Sequence, residues 1–534
     1  MALADKARKG ATSAEAIIAE AKSRVVTGIA EFSGRIAPEG IVHHRLSIEP
    51  MPHQLVIAEA VQAGHTRLLI ADDMGVGKTY SALLALDECD AYPALIVCPP
   101  ALVINWERSC KTALPNRTVA RIGGKTPTAV PDADIVIIPD SVVGDWALAP
   151  KDVLAKWEKT NRLLPRGQQR PMPTNILAQH PWRGLVQDEA HRSKTPDALR
   201  TKGVTAIAKA MTPEAVVLCL TGTPLTNRPV ELVPILNILG HLPRFGGSAK
   251  FKHRYCDPRP GFRGRMDFTG ASNLRELNEL LRRWVMIRRK RSEVITLPDF
   301  SRWLTPVTIT GKHLTDYKRA VRDLEEFLQE KRGDDEYSIN ANAEALVLLG
   351  QLRQIAGLAK VETAVSCTSE LLDNDEQVFL VTAHKEVAWR IRETLISEGV
   401  KPSEIVSVTG DDTQRQKQEA VDAFQSGRAR VLIGNVVAVS EGLTLTSCAN
   451  MITVELPWTP SALKQAEARI DRFTQTRKTS NNILLGAMDG DSSVDERLWG
   501  MLERKEAVIG TAVDGGSDAL VSGSVANELL DSYR

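Results

Sequence analysis

Residues 68–79 read LLIADDMGVGKT, and the helical run Tyr80–Leu86 follows directly. A short apolar run, a turn carrying two glycines and a helix opening on Lys-Thr spell strand, loop, helix. Gly75 and Gly77 let the backbone wrap closely around an anion with its N–H groups pointing inward. The helix that starts here adds the positive end of its dipole. Lys78 can reach the β- and γ-phosphates of a nucleotide, and the Thr79 hydroxyl can bind Mg²⁺. The stretch expected to hold ATP is therefore Met74, Gly75, Val76, Gly77, Lys78, Thr79 and Tyr80. Asp72 departs from the general phosphate-loop pattern, which has glycine at that position.

Apolar runs of the same kind recur at Arg67–Ala71, Ala94–Cys98, Asp134–Ile138, Gly184–Gln187 and Ala215–Leu220. Rich in Val, Ile and Leu and not alternating, they suit parallel strands buried on both faces. Helical stretches between them make βαβ units, hence a doubly wound sheet. A second series runs through Gln377–Thr382, Glu404–Thr409, Arg430–Gly434, Asn450–Leu456 and Asn482–Leu485. The expected class is α/β, with two tandem lobes of parallel sheet and helical insertions between them. The boundaries read as an N-terminal helical extension over 1–44, a first lobe over 45–300 and a helical linker or protrusion over 301–364. A second lobe over 365–510 and a flexible Gly/Ser-rich tail over 511–534 complete the chain.

Asp188-Glu189-Ala190-His191 follows the run Gly184–Gln187, which puts two carboxylates at the C-terminal edge of the sheet, beside the glycine turn. There Asp188 can hold Mg²⁺ and Glu189 can polarise the water that attacks the γ-phosphate. In the second lobe Gln465, Arg469 and Arg472 stand at i, i+4 and i+7, so a helix would place all three on one face. Two guanidiniums facing a nucleotide held by the first lobe would stabilise the transition state, a contribution of roughly 10³–10⁵ in comparable phosphoryl-transfer enzymes.

Taken in order, these stretches resemble the motifs of superfamily-two helicases, with a DEAH tetrapeptide at 188–191, and further segments narrow the likeness to the Swi/Snf family. Leu220-Thr221-Gly222-Thr223-Pro224-Leu225-Thr226-Asn227 is similar to that family's third motif, with Thr226 where Gln is usual. Pro52-His53-Gln54 resembles its adenine-side motif, and Ala94–Glu107, with Asn105-Trp106-Glu107, its motif Ia. Arg288-Arg289-Lys290 followed by Leu297-Pro298 is similar to the basic segment closing the first lobe. Ser440–Leu445 with Glu455–Trp458, Gln465–Arg472, and Val494-Asp495 with Trp499 and Lys505 resemble motif V, motif VI and the C-terminal helix pattern. Thr382–Val387 looks closest to the annealing-helicase branch.

The resemblance covers about residues 50–510. It implies two RecA-like lobes of the P-loop NTPase fold, with ATP and Mg²⁺ as cofactors and Gln54 and Gln465 on the nucleotide. It further implies a motor moving along DNA, double-stranded or forked, acting as a monomer. Candidate DNA contacts are Pro99, Asn105, Thr382, His384 and Thr444, and the cluster Arg288–Arg291 is either a further contact or a solvated face. Departures are Ala468 for Asp, Asp471 for His, Thr474 for Gly, and Val439-Ser440-Glu441 in place of a glycine pair. They put coupling in doubt more than hydrolysis.

The bulk numbers agree with a globular motor without specifying it. The 534 residues suggest two to four domains, and 43% hydrophobic with 25% charged residues is an ordinary balance. No apolar run approaches the ~20 residues that cross a bilayer, so a cytosolic location with no membrane partner is expected. The seven cysteines lack the close pairs of a zinc site, and Cys98 and Cys219 read as small core residues. A net charge of +1 advertises no nucleic-acid partner. Competing readings are a strand-separating helicase or the motor subunit of a restriction or defence complex, a nucleotide-gated DNA-binding scaffold, and an RNA-directed motor.

Overall fold

Seven strands form the first sheet: β1 (Arg67–Ile70), β2 (Ala94–Cys98), β3 (Val119–Arg121), β4 (Ile135–Pro139), β5 (Gly184–Gln187), β6 (Val216–Leu220) and β9 (Met286–Ile287). β7 (Arg259–Pro260) and β8 (Met266–Asp267) make a separate small hairpin. The sheet runs β3-β4-β2-β5-β6-β1-β9 with every pairing parallel. The computed structural model describes residues 28–39, 42, 44–225, 228–260, 266–295, 298–330, 339–439, 443–472, 475–514 and 525–533. Of the expected N-terminal helical extension over 1–44, residues 1–27, 40–41 and 43 lie outside those residues and Ile29–Glu31 is a short 3-10 turn; Thr226, Asn227, Leu297, Ser440–Gly442 and Thr474 also lie outside.

Strict alternation along each strand sends side chains to two cores. Leu69, Leu95, Val97, Val136 and Ile138 enter one, while Leu68, Ile70, Ile96, Ile135 and Ile137 enter the other. With both faces covered, every strand of the sheet except the edge strand β3, whose Val119 is half-buried, buries all of its Leu, Ile and Val side chains, worth about 1.5–3 kcal/mol apiece. Cys98 and Cys219 sit in these cores as small apolar residues.

The chain divides into two compact units, Met1–Val294 with Ala507–Ser522 and Ile295–Glu506 with Gly523–Arg534. The second unit has a six-stranded parallel sheet in the order β10-β15-β14-β11-β13-β12. Its strands are β10 (Phe300–Thr308), β11 (Val378–Thr382), β12 (Ile405–Val408), β13 (Val431–Asn435), β14 (Asn450–Thr453) and β15 (Thr479–Ala487). The two-lobed α/β class expected from the sequence is the observed one.

Two sequence expectations are corrected here. The stretch over 301–364, expected as a helical linker or protrusion, is helical only in part. It opens with β10, an edge strand paired with β15 over nine residues. The helices Gly311–Glu330 and Ile339–Ala359 then bury Tyr317, Leu324, Leu328, Leu349 and Leu352 in a core of the second unit. Nor is the chain end wholly a loose tail. Val525–Asp531 is a helix whose Val525, Leu529 and Leu530 are buried in that same core, followed by buried Tyr533. Lys505 pairs with Glu528 at 3.6 Å, and the Arg497 guanidinium stacks 4.3 Å from the Tyr533 ring centre. Nearby, Lys360 donates to Asp495 at 2.5 Å with both side chains buried, so part of the C-terminal helix pattern is a buried ion pair.

Leu529→Ala is expected to destabilise the second unit by about 2–5 kcal/mol, the usual cost of deleting a fully buried leucine side chain. Denaturant unfolding followed by circular dichroism reads this directly; an unchanged midpoint would show that the terminal helix contributes nothing to the fold.

Candidate nucleotide site

In the first sheet β6 lies between β1 and β5, so the loops leaving their C-terminal ends are neighbours. These loops carry residues 72–79, 221–224 and 188–191. Such an edge is where open α/β sheets place ligands.

The glycine loop takes its shape from two left-handed residues, Gly75 and Gly77, each at φ 81°. At Gly77 a Cβ would also stand 2.5 Å from the Gln54 amide nitrogen, so two separate constraints require glycine. Gly77 caps the helix Lys78–Glu88. The Lys78 ammonium donates to the carbonyls of Asp72 (2.9 Å) and Asp73 (2.8 Å). Burial lowers its pKa, against the opposing pull of Glu189 first and then Asp72, Asp73 and Asp188.

His53 and Gln54 begin the helix Pro52–Gln62 and support the same loop from below. Burial pushes the His53 pKa down, so the neutral ring donates from Nε2 to the Val76 carbonyl at 2.9 Å. The Gln54 amide donates to Gly77 O at 3.2 Å while its oxygen accepts from Met51 N at 2.9 Å. Gln54 was expected on the adenine; here its buried side chain bonds the loop backbone and caps its own helix.

Asp188 follows β5 and is set in place from two directions. The Trp106 indole N–H donates to its Oδ2 at 2.8 Å, and the Glu189 N–H to its Oδ1 at 2.9 Å. Burial, reinforced by the Glu189 charge, raises the Asp188 pKa to about 6, against the lowering pull of those hydrogen bonds and Lys78. Glu189 itself is held in left-handed backbone, φ 47° and ψ 49°, a costly conformation for a residue with a Cβ. Its carboxylate lies 3.3 Å from His191 Nδ1, which also bonds the Thr221 hydroxyl at 3.1 Å. Thr221 in turn accepts from the Thr223 N–H at 3.1 Å. Gly222 lies so close to the glycine loop that a Cβ would meet Met74 Cγ at 2.4 Å and Lys78 Nζ at 3.4 Å. Lys78, Asp188, Glu189 and the Thr221–Thr223 turn are thus brought together.

The basic cluster is where the sequence reading is most plainly revised. Arg288 and Arg289 are buried, so neither forms a solvated face. Arg289 grips Asp72 and Arg288 bonds the Ala71 carbonyl at 2.7 Å. This arrangement explains why the phosphate loop starts with a carboxylate where the general pattern has glycine.

In the second unit, the helix carrying the arginines spans Pro460–Ile470 and ends there, with Asp471 in non-helical backbone. Arg472 therefore leaves the face shared by Gln465 and Arg469, contrary to the i, i+4, i+7 expectation. Both arginines still reach one segment: Arg469 donates to Leu443 O at 3.3 Å and Arg472 to the Thr444 hydroxyl at 2.7 Å. Of the expected DNA contacts, Pro99 and Thr382 are buried and Asn105 and Thr444 are half-buried. His384 is tied at 2.5 Å to the buried Glu455 carboxylate, which also accepts from the N–H groups of Ala383 and His384.

Comparison with known proteins places this geometry. The SNF2-related domain family matches residues 55–358, and the helicase conserved C-terminal domain matches residues 360–474. The chain is 27% identical over 462 residues to the DNA annealing helicase and endonuclease ZRANB3 of Bos taurus, covering 85% of this chain and 40% of that protein. It is 28% identical over 487 residues to the SWI/SNF-related matrix-associated actin-dependent regulator of chromatin subfamily A-like protein 1 of Xenopus tropicalis, covering 88% and 46%. The chain thus spans less than half the length of these two curated relatives. Among solved structures, the Sulfolobus solfataricus SWI2/SNF2 ATPase core in complex with dsDNA covers 89% of this chain and 96% of its own, at 20% identity and a TM-score of 0.39. The first family match alone takes in more than half of the residues, and the chain belongs to the SNF2-related family of helicase-like ATPases.

Proposed function

We propose that this chain hydrolyses ATP in response to DNA and uses the cycle to move along duplex or forked DNA. The observation that carries the reading is the meeting of Lys78, Asp188 and Glu189 at one sheet edge, in a chain of this family. Lys78 is assigned to the β- and γ-phosphates, and Glu189 to orienting and polarising the attacking water. Arg469 and Arg472 are assigned to stabilising charge on the phosphoryl group in the transition state. The relatives, a DNA annealing helicase among them, support DNA as the stimulating ligand.

Mg²⁺ suits the oxygen chemistry of Asp188 and of Thr79, the residue after Lys78. Among the described residues no group of three or more His, Cys, Asp or Glu could hold a metal unaided. Mg²⁺ is commonly held by one or two carboxylates together with substrate phosphates, and that is what these residues offer. When bound, it neutralises charge on the β- and γ-phosphate oxygens. For this chain, the consequence is that Asp188 has to be ionised, and Trp106 orients the carboxylate for that task.

Hydrolysis by the purified protein should rise strongly with duplex or forked DNA over the rate without nucleic acid, single strands or RNA. Glu189→Gln should lower kcat by at least about 10²-fold with the protein still folded. A lack of hydrolysis on every nucleic acid would leave a nucleotide-gated scaffold, and unwinding of a fork would establish strand separation. Arg469→Ala should lower kcat by roughly 10³-fold; retention of the full rate would remove it from the chemistry.

The pH dependence follows from Asp188. A raised pKa leaves the carboxyl protonated below about 6, where it cannot hold a cation, so kcat/KM should fall as pH drops through that value. Trp106→Phe removes a hydrogen bond that favours the carboxylate, and should move this acid limb upward by roughly one pH unit. An unmoved limb would assign it to another group.

A further inference from the structure

The side chains of Asp72 and Asp73 are gripped by one stretch of chain, and their carbonyls by Lys78. Asp72 is fully buried, and its Oδ1 accepts from Arg289 Nε at 2.8 Å and Arg289 N at 2.9 Å. Its Oδ2 accepts from Arg289 Nη2, completing a two-pronged ion pair in which neither side chain touches water. Asp73 Oδ1 lies 3.5 Å from Arg288 Nη1, and its Oδ2 accepts from Arg291 N at 3.3 Å. The backbone joins the same clamp: Ala71 N donates to Ile287 O at 2.8 Å and Asp73 N to Arg289 O at 3.1 Å, carrying the β1–β9 ladder into the loop.

Arg289 also reaches the far end of the loop. Its Nη1 donates to the carbonyls of His53 (2.5 Å) and Arg35 (3.2 Å). His53 in turn donates to Val76 O. One planar guanidinium therefore holds the start of the loop directly and its middle through His53. A lysine has the charge but cannot make this fork.

We infer that Arg289 is a positioning residue for nucleotide binding, acting through Asp72 to hold the 72–73 peptide planes, and with them the Lys78 ammonium, in register for the phosphates. This rests on the reading of the loop as an ATP site. It takes the Arg288–Arg289 part of the basic segment away from any role on an exposed face. Loss of the fork lets the peptides at 72 and 73 turn, so the carbonyls that orient Lys78 no longer point at it. The loss falls on ATP affinity, and so on KM, more than on kcat.

The test measures equilibrium binding of a fluorescent ATP analogue, KM and kcat for ATP at saturating duplex DNA, and the thermal midpoint without nucleotide. The proteins are the parent, Arg289→Lys, Asp72→Asn, the double variant, and Lys78→Ala as the binding control. Arg289→Lys and Asp72→Asn should each raise the dissociation constant and KM by about tenfold or more with a smaller change in kcat. The double variant should be little worse than either single one, because all three break the same link. Asp72→Asn keeps the size of the side chain, so it carries the test if Arg289→Lys does not fold. Analogue affinity and KM within twofold of the parent in a folded variant, even with a lowered thermal midpoint, would overturn the inference and leave the pair a prop of the fold. Failure of the parent itself to bind the analogue would overturn the ATP reading, and the inference with it.

Discussion

A carboxylate sealed from water at the end of a central strand has to be met by a cation of matching geometry, and much of the first unit is arranged around that demand. Asp72 needs Arg289 within reach, which requires β9 to lie beside β1. Arg289 in turn needs acceptors for its remaining donors, which fixes Arg35 and the start of the helix at His53. Leaving such a charge buried and unpaired is far more costly than never having buried it, so the four segments are bound to one another. The phosphate loop inherits its rigidity from this pairing, because its own glycines supply freedom and no restraint.

Order at the sheet edge follows from the same logic at a second point. Asp188 and Glu189 are adjacent carboxylates facing one ammonium, and burial works against the charge on Asp188. Trp106 and the Glu189 N–H offset this with two directed hydrogen bonds, which fix where the Asp188 oxygens point. Trp106 comes from the helix Val103–Ala113, which also carries Asn105, so that helix is tied to Asp188 through the indole.

The parts legible in the sequence are those written in contiguous residues. Buried parallel strands show as apolar runs, and the glycine loop and the acidic tetrapeptide carry their chemistry in a few neighbouring positions. β10 was missed because an edge strand is half-exposed: Trp303 and Leu304 face solvent, and Pro306 reads as a break. The terminal helix hid behind a Gly/Ser stretch, although Val525, Leu529 and Tyr533 do keep helical spacing. Arg472 was placed on a helix because periodicity does not mark where a helix stops. Trp106 and Asp188 are 82 residues apart and Arg289 and Asp72 are 217 apart, so no local pattern connects either pair. The one available signal was Asp72 itself, an acid where glycine was expected, and it called for a buried cation elsewhere in the chain.

Glu189 sits in backbone that glycine or asparagine would occupy with less strain, and each such residue costs on the order of 1–3 kcal/mol. The fold alone would favour replacing it. Selection for a sturdier protein and selection for a working one therefore pull this position in opposite directions. Enrichment for heat resistance without a demand for turnover would drift toward Gly or Asn at 189 and yield a better-folded protein lacking the carboxylate proposed to polarise the attacking water.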